Sequence, residues 1–229
     1  MRSWLFLAVT CGLLASCGGP PPAADAPAEE PPASTSIVWN IDSLATIGGH
    51  PVEVLGNPRV IATPAGPAVE FDGDEDALFL PVHPLAGAET FTWEVIFRPD
   101  SGGGIEQRFF HLQVEGVEDR LLFETRLSET DWHLDAFASA GGSQPLIDPT
   151  KTYPLDRWYH IAQVYDGTTY SAYVDGELQA SAEVDLMPQG EGRTSIGVRI
   201  NLVDYFKGAV RQARFTERAL TPAEFLPAP

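Results

Sequence analysis

From Ile37 onward, large apolar residues recur at every second position, and no segment keeps a long helical period. Phe91-Thr92-Trp93-Glu94-Val95-Ile96-Phe97 puts Phe91, Trp93, Val95 and Phe97 on one face and Thr92, Glu94 and Ile96 on the other. Leu121, Phe123, Thr125 and Leu127 alternate with Leu122, Glu124 and Arg126 in the same way, and Trp132, Leu134 and Ala136 with His133, Asp135 and Phe137. Further strands are predicted at Ala68–Phe71, Ala77–Leu80, Gln107–Val114, Trp158–Tyr165, Thr169–Val174, Thr194–Ile200 and Gly208–Phe215. Asp166-Gly167 and Asp175-Gly176 fall between such runs, and Asp-Gly tolerates the positive φ of type I′ turns, so two hairpins are expected there. One helical turn is expected near Thr221–Phe225, where Thr221-Pro222-Ala223-Glu224 offers a cap, a proline at the first helical position and a capping carboxylate. A hydrophobic fraction of 44% supports a packed core. Many short strands joined by turns imply an all-β sandwich or jelly roll.

The first 36 residues break this pattern. Arg2 precedes an apolar stretch from Leu5 to Leu14 that is too short to span a bilayer. It ends in Leu14-Ala15-Ser16-Cys17, which resembles the bacterial lipobox. That resemblance implies a signal peptide over 1–16 and lipidation of Cys17. Gly18 stands where an Asp would imply inner-membrane retention, so an outer-membrane position in the bacterial cell envelope is expected. Cys11 leaves with the signal peptide, so the folded part holds no cysteine and no disulfide. Residues 17–36 carry six prolines and no large apolar side chain, the composition of an extended tether. The remaining segment, 37–229, has 29 acidic against 13 basic residues. That balance excludes a phosphate-tracking nucleic-acid binder and leaves the lipid to hold the chain at the membrane.

Trp158-Tyr159-His160-Ile161-Ala162-Gln163-Val164-Tyr165-Asp166-Gly167, followed by Tyr173-Val174-Asp175-Gly176, resembles the signature of LamG-like, concanavalin A-like jelly-roll domains. Ala68-Val69-Glu70-Phe71-Asp72-Gly73, Phe91-Thr92-Trp93-Glu94, Phe206-Lys207-Gly208-Ala209-Val210 and Arg218-Ala219-Leu220-Thr221 resemble other strands and the tail of the same family, in the expected order. The resemblance implies a concanavalin A-like jelly-roll sandwich of two antiparallel sheets with a short C-terminal helical turn. It also implies that Trp158, His160 and the Asp-Gly turns are architectural. The fold hosts lectins, adhesion modules, glycosidases and lyases, so it leaves activity open.

Retaining glycosidases of this fold carry a Glu-x-Asp-x-x-Glu strand. The nearest counterpart, Glu183-Val184-Asp185, meets Pro188 where the last Glu should stand, so that activity is not expected. Tyr205-Phe206-Lys207 resembles a strand of alginate lyases, and a lyase would use His111 or Tyr205 as base with Arg126, Gln113 and Arg199 neutralising the uronate carboxylate; Glu124 stands in the same cluster. Alternation brings His111, Gln113, Glu124, Arg126, His133 and Asp135 to one sheet face, which either binds sugar hydroxyls or pairs its charges internally. No cofactor is implied. Ca²⁺ is the metal to consider, at a rim site of Asp72, Asp74 or Asp76, although that loop departs from the EF-hand pattern at Ala77 and His83. Arg211 stands where the family places a calcium-binding Asp, and it would repel the ion. The expected function is a lipid-anchored module binding a glycan or an envelope protein. A uronate lyase and a structural envelope lipoprotein are the alternatives.

Overall fold

The computed structural model describes Met1 and residues 36–229. Cys17, the signal peptide and the tether expected before Ser36 lie outside the described residues.

Alternation produces two antiparallel sheets, as the sequence predicts. In the first, the strands run edge to edge as Glu177–Glu183, Thr169–Val174, Tyr159–Tyr165, Phe91–Pro99, Lys207–Thr216, Gly66–Asp72 and Arg59–Thr63, with Ser36–Asn40 also paired to Lys207–Thr216. In the second they run Gly142–Ile147, Asp131–Ala140, Arg120–Leu127, Glu106–Val114, Gly192–Ile196, Ala77–Leu80 and Glu53–Leu55, with Tyr153–Pro154 paired to Asp131–Ala140. Sequence neighbours pair in hairpins on one side of each sheet, while Lys207–Thr216 and Gly192–Ile196 close the sheets from far along the chain. That mixture of local and distant pairing is the jelly-roll topology.

The inner faces meet in one aromatic core. Trp93 lies 4.4 Å from Phe123 and 5.1 Å from Phe110, ring centre to ring centre, and Phe97 stacks on Phe109 at 4.5 Å. Edge-to-face and offset pairs of this kind add about 0.5–1.5 kcal/mol each beyond the area they bury. Residues 36–229 belong to one compact unit around this core.

Two local expectations change. Asp175 and Gly176 both have positive φ and form the two-residue turn predicted, but Asp166 does not. The Asp166 carboxylate instead accepts the N–H groups of Thr168 and Thr169, which widens that turn to four residues between Tyr165 and Tyr170. The strand expected over Thr194–Ile200 stops at Ile196, because Gly197 at φ +93° turns the chain out of the sheet. The second face of Phe91–Pro99 is covered as well: Thr92 and Glu94 are fully buried and Ile96 nearly so. The C-terminal tail covers it, with the Leu220 N–H donating to Thr92 Oγ1 (2.8 Å) and the Leu226 N–H to Glu94 Oε1 (2.7 Å). The helical turn appears as a single 3₁₀ turn, Pro222–Glu224, where the Glu224 carboxylate accepts the Thr221 N–H and hydroxyl.

Candidate functional site

The outer face of the second sheet gathers the polar residues singled out above. Strand register sets Leu122 beside His111, Arg120 beside Gln113, Glu124 beside Asp135 and Arg126 beside His133. Paired positions share a face, so all six predicted residues point away from the core. A β-bulge sits opposite Phe123 and Glu124, where Phe109 and Phe110 are both buried, and it returns Arg108 to the outer face next to Glu124.

Two guanidinium groups organise this surface. Arg126 contacts Asp135 at 2.6 Å and Glu124 at 3.1 Å and also pairs with Glu106. Arg108 reaches Glu124 at 3.2 Å and pairs with Glu106 and with Asp204 from the 197–206 loop. Glu124 and Asp135 are nearly buried, whereas Glu106 and Asp204 keep about a third of their side-chain surface open, 34% and 35%. Burial, then the adjacent Asp135 charge, pushes the Glu124 carboxyl above its usual value despite both arginines. Arg126 is held above its usual value although burial opposes it, because Asp135, Glu124 and Glu106 surround it. His133 is lowered, first by partial burial.

Glu106, Arg108 and Asp204 were not reached from sequence. The adjacent Phe109-Phe110 pair, which breaks strict alternation, is the signal that a bulge re-aims Arg108. Asp204 joins the array only because the loop after Gly197 folds back, with the Arg108 N–H donating to the Asp204 carbonyl at 2.9 Å.

The lyase constellation does not assemble. His111 is fully buried under that loop and its Nδ1 accepts the Ile200 N–H at 3.1 Å. Burial, then the Arg199 and Arg120 charges, lowers it to about 3, so it is closed off from a polymer substrate and a poor proton acceptor at neutral pH. Arg126 is saturated by three carboxylates. Tyr205 stands in the field of Glu75, Asp74 and Asp72, whose charges add to burial in raising its hydroxyl. Gln113 spends its amide on the Val117 carbonyl (2.9 Å), and Arg199 faces the exposed Glu118 at 3.9 Å.

The rim calcium site does not assemble either. Asp72 Oδ1 accepts the N–H groups of Asp74, Glu75 and Asp76 at 2.9–3.2 Å. Asp76 accepts those of Asn57 (2.6 Å) and Asp72 (3.1 Å). The carboxylates thus hold a turn together through backbone donors. Among the described residues, no group of three or more His, Cys, Asp or Glu side chains is placed to hold a metal ion. Arg211 lies 5.9 Å over the Trp158 ring, which Arg98 also approaches at 5.5 Å.

Known structures share this architecture. Domain 4 of AbnA, a GH43 extracellular arabinanase from Geobacillus stearothermophilus solved with arabinotriose, is 17% identical, with a TM-score of 0.65 over 83% of this chain and 96% of that one. The binding domain of Paraclostridial Mosquitocidal Protein 1 is 12% identical, with a TM-score of 0.61 over 82% of this chain and 50% of that one. The binding domain of botulinum neurotoxin DC, solved with rat synaptotagmin II, is 11% identical, with a TM-score of 0.58 over 82% and 49%. The chain therefore spans about half of each toxin domain, and at these identities the likeness is one of fold. No curated protein matches the sequence. The sequence profile described as the concanavalin A-like lectin/glucanases superfamily matches residues 72–225, the span that holds both sheets' central strands and the outer-face array, and this chain belongs to that superfamily.

Proposed function

We propose that this chain is a lipid-anchored binding module of the bacterial cell envelope, at the outer membrane, that contacts a glycan through the outer face of its second sheet. The observation that carries the reading is the Arg108–Arg126 array: two guanidinium groups fixed by four carboxylates, with Glu106 and Asp204 open at its edge. Donors and acceptors locked in this way meet sugar hydroxyls without further ordering cost. The arabinanase domain solved with arabinotriose supports a glycan partner, and the toxin domain solved with synaptotagmin II supports a protein partner. The anchor rests on the sequence alone, on Leu14-Ala15-Ser16-Cys17 and the proline-rich segment behind it.

A glycan array probed with the soluble 37–229 fragment should give hits. Glu106→Gln together with Asp204→Asn should weaken them about tenfold, an effect of about 1.4 kcal/mol. Silence on glycans combined with capture of an envelope protein would replace the glycan by that protein, and silence in both assays would sink the module reading. Cys17→Ala should abolish fatty-acid labelling and release the chain from the membrane fraction; retention of both would remove the anchor.

A further inference from the structure

The same outer face carries a second group of charged residues that the array does not use. Strand register sets Arg193, Gln113 and Arg120 side by side across three neighbouring strands, and Arg199 enters from the loop beyond Gly197. Three of the 13 basic residues of segment 37–229 thus share one patch. Arg120 and Arg199 have weak partnership for their charges: Glu118 lies 3.5 Å from Arg120 and 3.9 Å from Arg199, and its own side chain is 83% exposed. Arg193 is exposed. By contrast Arg108 and Arg126, a few residues away, are each held by several carboxylates.

Two N–H donors at this patch meet no acceptor. His111 accepts the Ile200 N–H at Nδ1, so its ring proton sits on Nε2, which is buried and unpartnered. The Nε–H of Arg120 is likewise buried without an acceptor, while its guanidinium lies 4.6 Å over the partly exposed Phe137 ring. A buried donor left unmade costs about 1–3 kcal/mol, and these two, out of a polymer's own reach, add positive potential beneath the exposed face of the patch. Burial and the Arg199 charge also hold Arg120 below its usual value, which agrees with a locally positive potential.

We propose that Arg120, Arg193 and Arg199 form a subsite for a carboxylate-bearing saccharide, a uronate, at the edge of the glycan-binding face. This rests on the glycan reading above and gives it a ligand class. Guanidinium groups take carboxylates in a two-point, coplanar grip. Arg120 and Arg193 stand two strand spacings apart, about 10 Å, roughly the span of a disaccharide unit. An apolar groove of about 670 Å³, lined in part by Phe79, Arg193, Ile200 and Leu202, continues from Arg193 and offers a surface for the sugar's C–H faces. The excess of acid over base elsewhere on the domain works against densely charged sulfated or phosphorylated chains more than against a uronate, which carries only one charge per sugar.

The test is calorimetric titration of the full chain in neutral detergent with tetragalacturonate and with its carboxyl-reduced, neutral counterpart. Tetragalacturonate should bind at least tenfold tighter than the neutral sugar. R193Q/R199Q should remove about tenfold per guanidinium from tetragalacturonate binding and leave the neutral sugar unchanged. R59Q/R157Q, with the same change of net charge at other exposed sites, should bind like the parent. Equal affinity for both sugars, or equal losses in the two double variants, would overturn the subsite and leave the glycan module standing. Binding of neither sugar, with glycan-array hits elsewhere, would overturn the uronate assignment alone. Absence of all glycan binding would overturn both.

Discussion

Two buried glutamates show how burial alone does not decide a carboxylate's contribution. Burial pushes Glu94 up, but hydrogen bonds from His160 (3.0 Å), Arg214 and the Leu226 N–H outweigh it and leave its carboxyl below the usual value. Glu124, pushed up by burial and then by the adjacent Asp135 charge, ends above its usual value. A lowered carboxyl stabilises the fold above its unfolded pKa and loses that contribution as pH falls through the folded one; a raised carboxyl does the opposite as pH rises. Glu94→Gln should therefore cost about 3 kcal/mol at pH 7, since it leaves a mostly buried Arg214 uncompensated. Glu124→Gln should cost at least about 2 kcal/mol less, because it also removes a repulsion. Urea unfolding at pH 7 measures both, and similar losses for the two variants would contradict this account. Repeating the Glu94 comparison at falling pH should shrink its difference from the parent. The alternation of residues 91–97 places Glu94 on the outer side of its strand, but nothing local reveals the cover, because Leu226 is 132 positions away.

At the scale of elements, the loop after Gly197 and the C-terminal tail do the covering that strands cannot do for themselves. A Cβ at Gly197 would stand 2.5 Å from Phe71 and 2.8 Å from the Asp76 carbonyl, and φ there is +93°. Gly197→Ala should lower stability by more than about 2 kcal/mol in thermal or urea unfolding. It should also weaken ligand binding, since the loop delivers Asp204 and Arg199. An unchanged melting temperature would show that the loop is not pinned. Removal of residues 218–229 should expose Ile96 and the Glu94–His160 pair, seen as increased binding of a hydrophobic dye and a lower melting temperature. Most strands were legible because each faces a core on one side, which enforces a period of two. Arg59–Thr63, Gly142–Ile147 and Glu177–Glu183 were not, because they are mostly exposed strands near or at sheet edges, where little selects for alternation.

For the whole molecule, net charge is the feature with a measurable consequence. Twenty-nine acids against 13 bases in segment 37–229 repel one another across a small surface. Added salt should raise the melting temperature by about 2–4 °C, the shift that goes with about 1 kcal/mol in a domain of this size. A fall with salt would mean that the ion-pair arrays outweigh the repulsion. The two-sheet architecture, the family and the shared face of His111, Gln113, Glu124, Arg126, His133 and Asp135 were set by sequence alone, since period-two patterning and turn chemistry act between near neighbours. Tertiary structure decided which of those residues remain open. It buried His111 beneath a loop from 89 residues later, moved Tyr205 to the acidic turn, and brought Arg193 beside Gln113, on the side opposite Arg120. Those outcomes depend on strand order and on long-range closure, and the hydrophobic pattern along one chain carries no record of which strand will lie next to which.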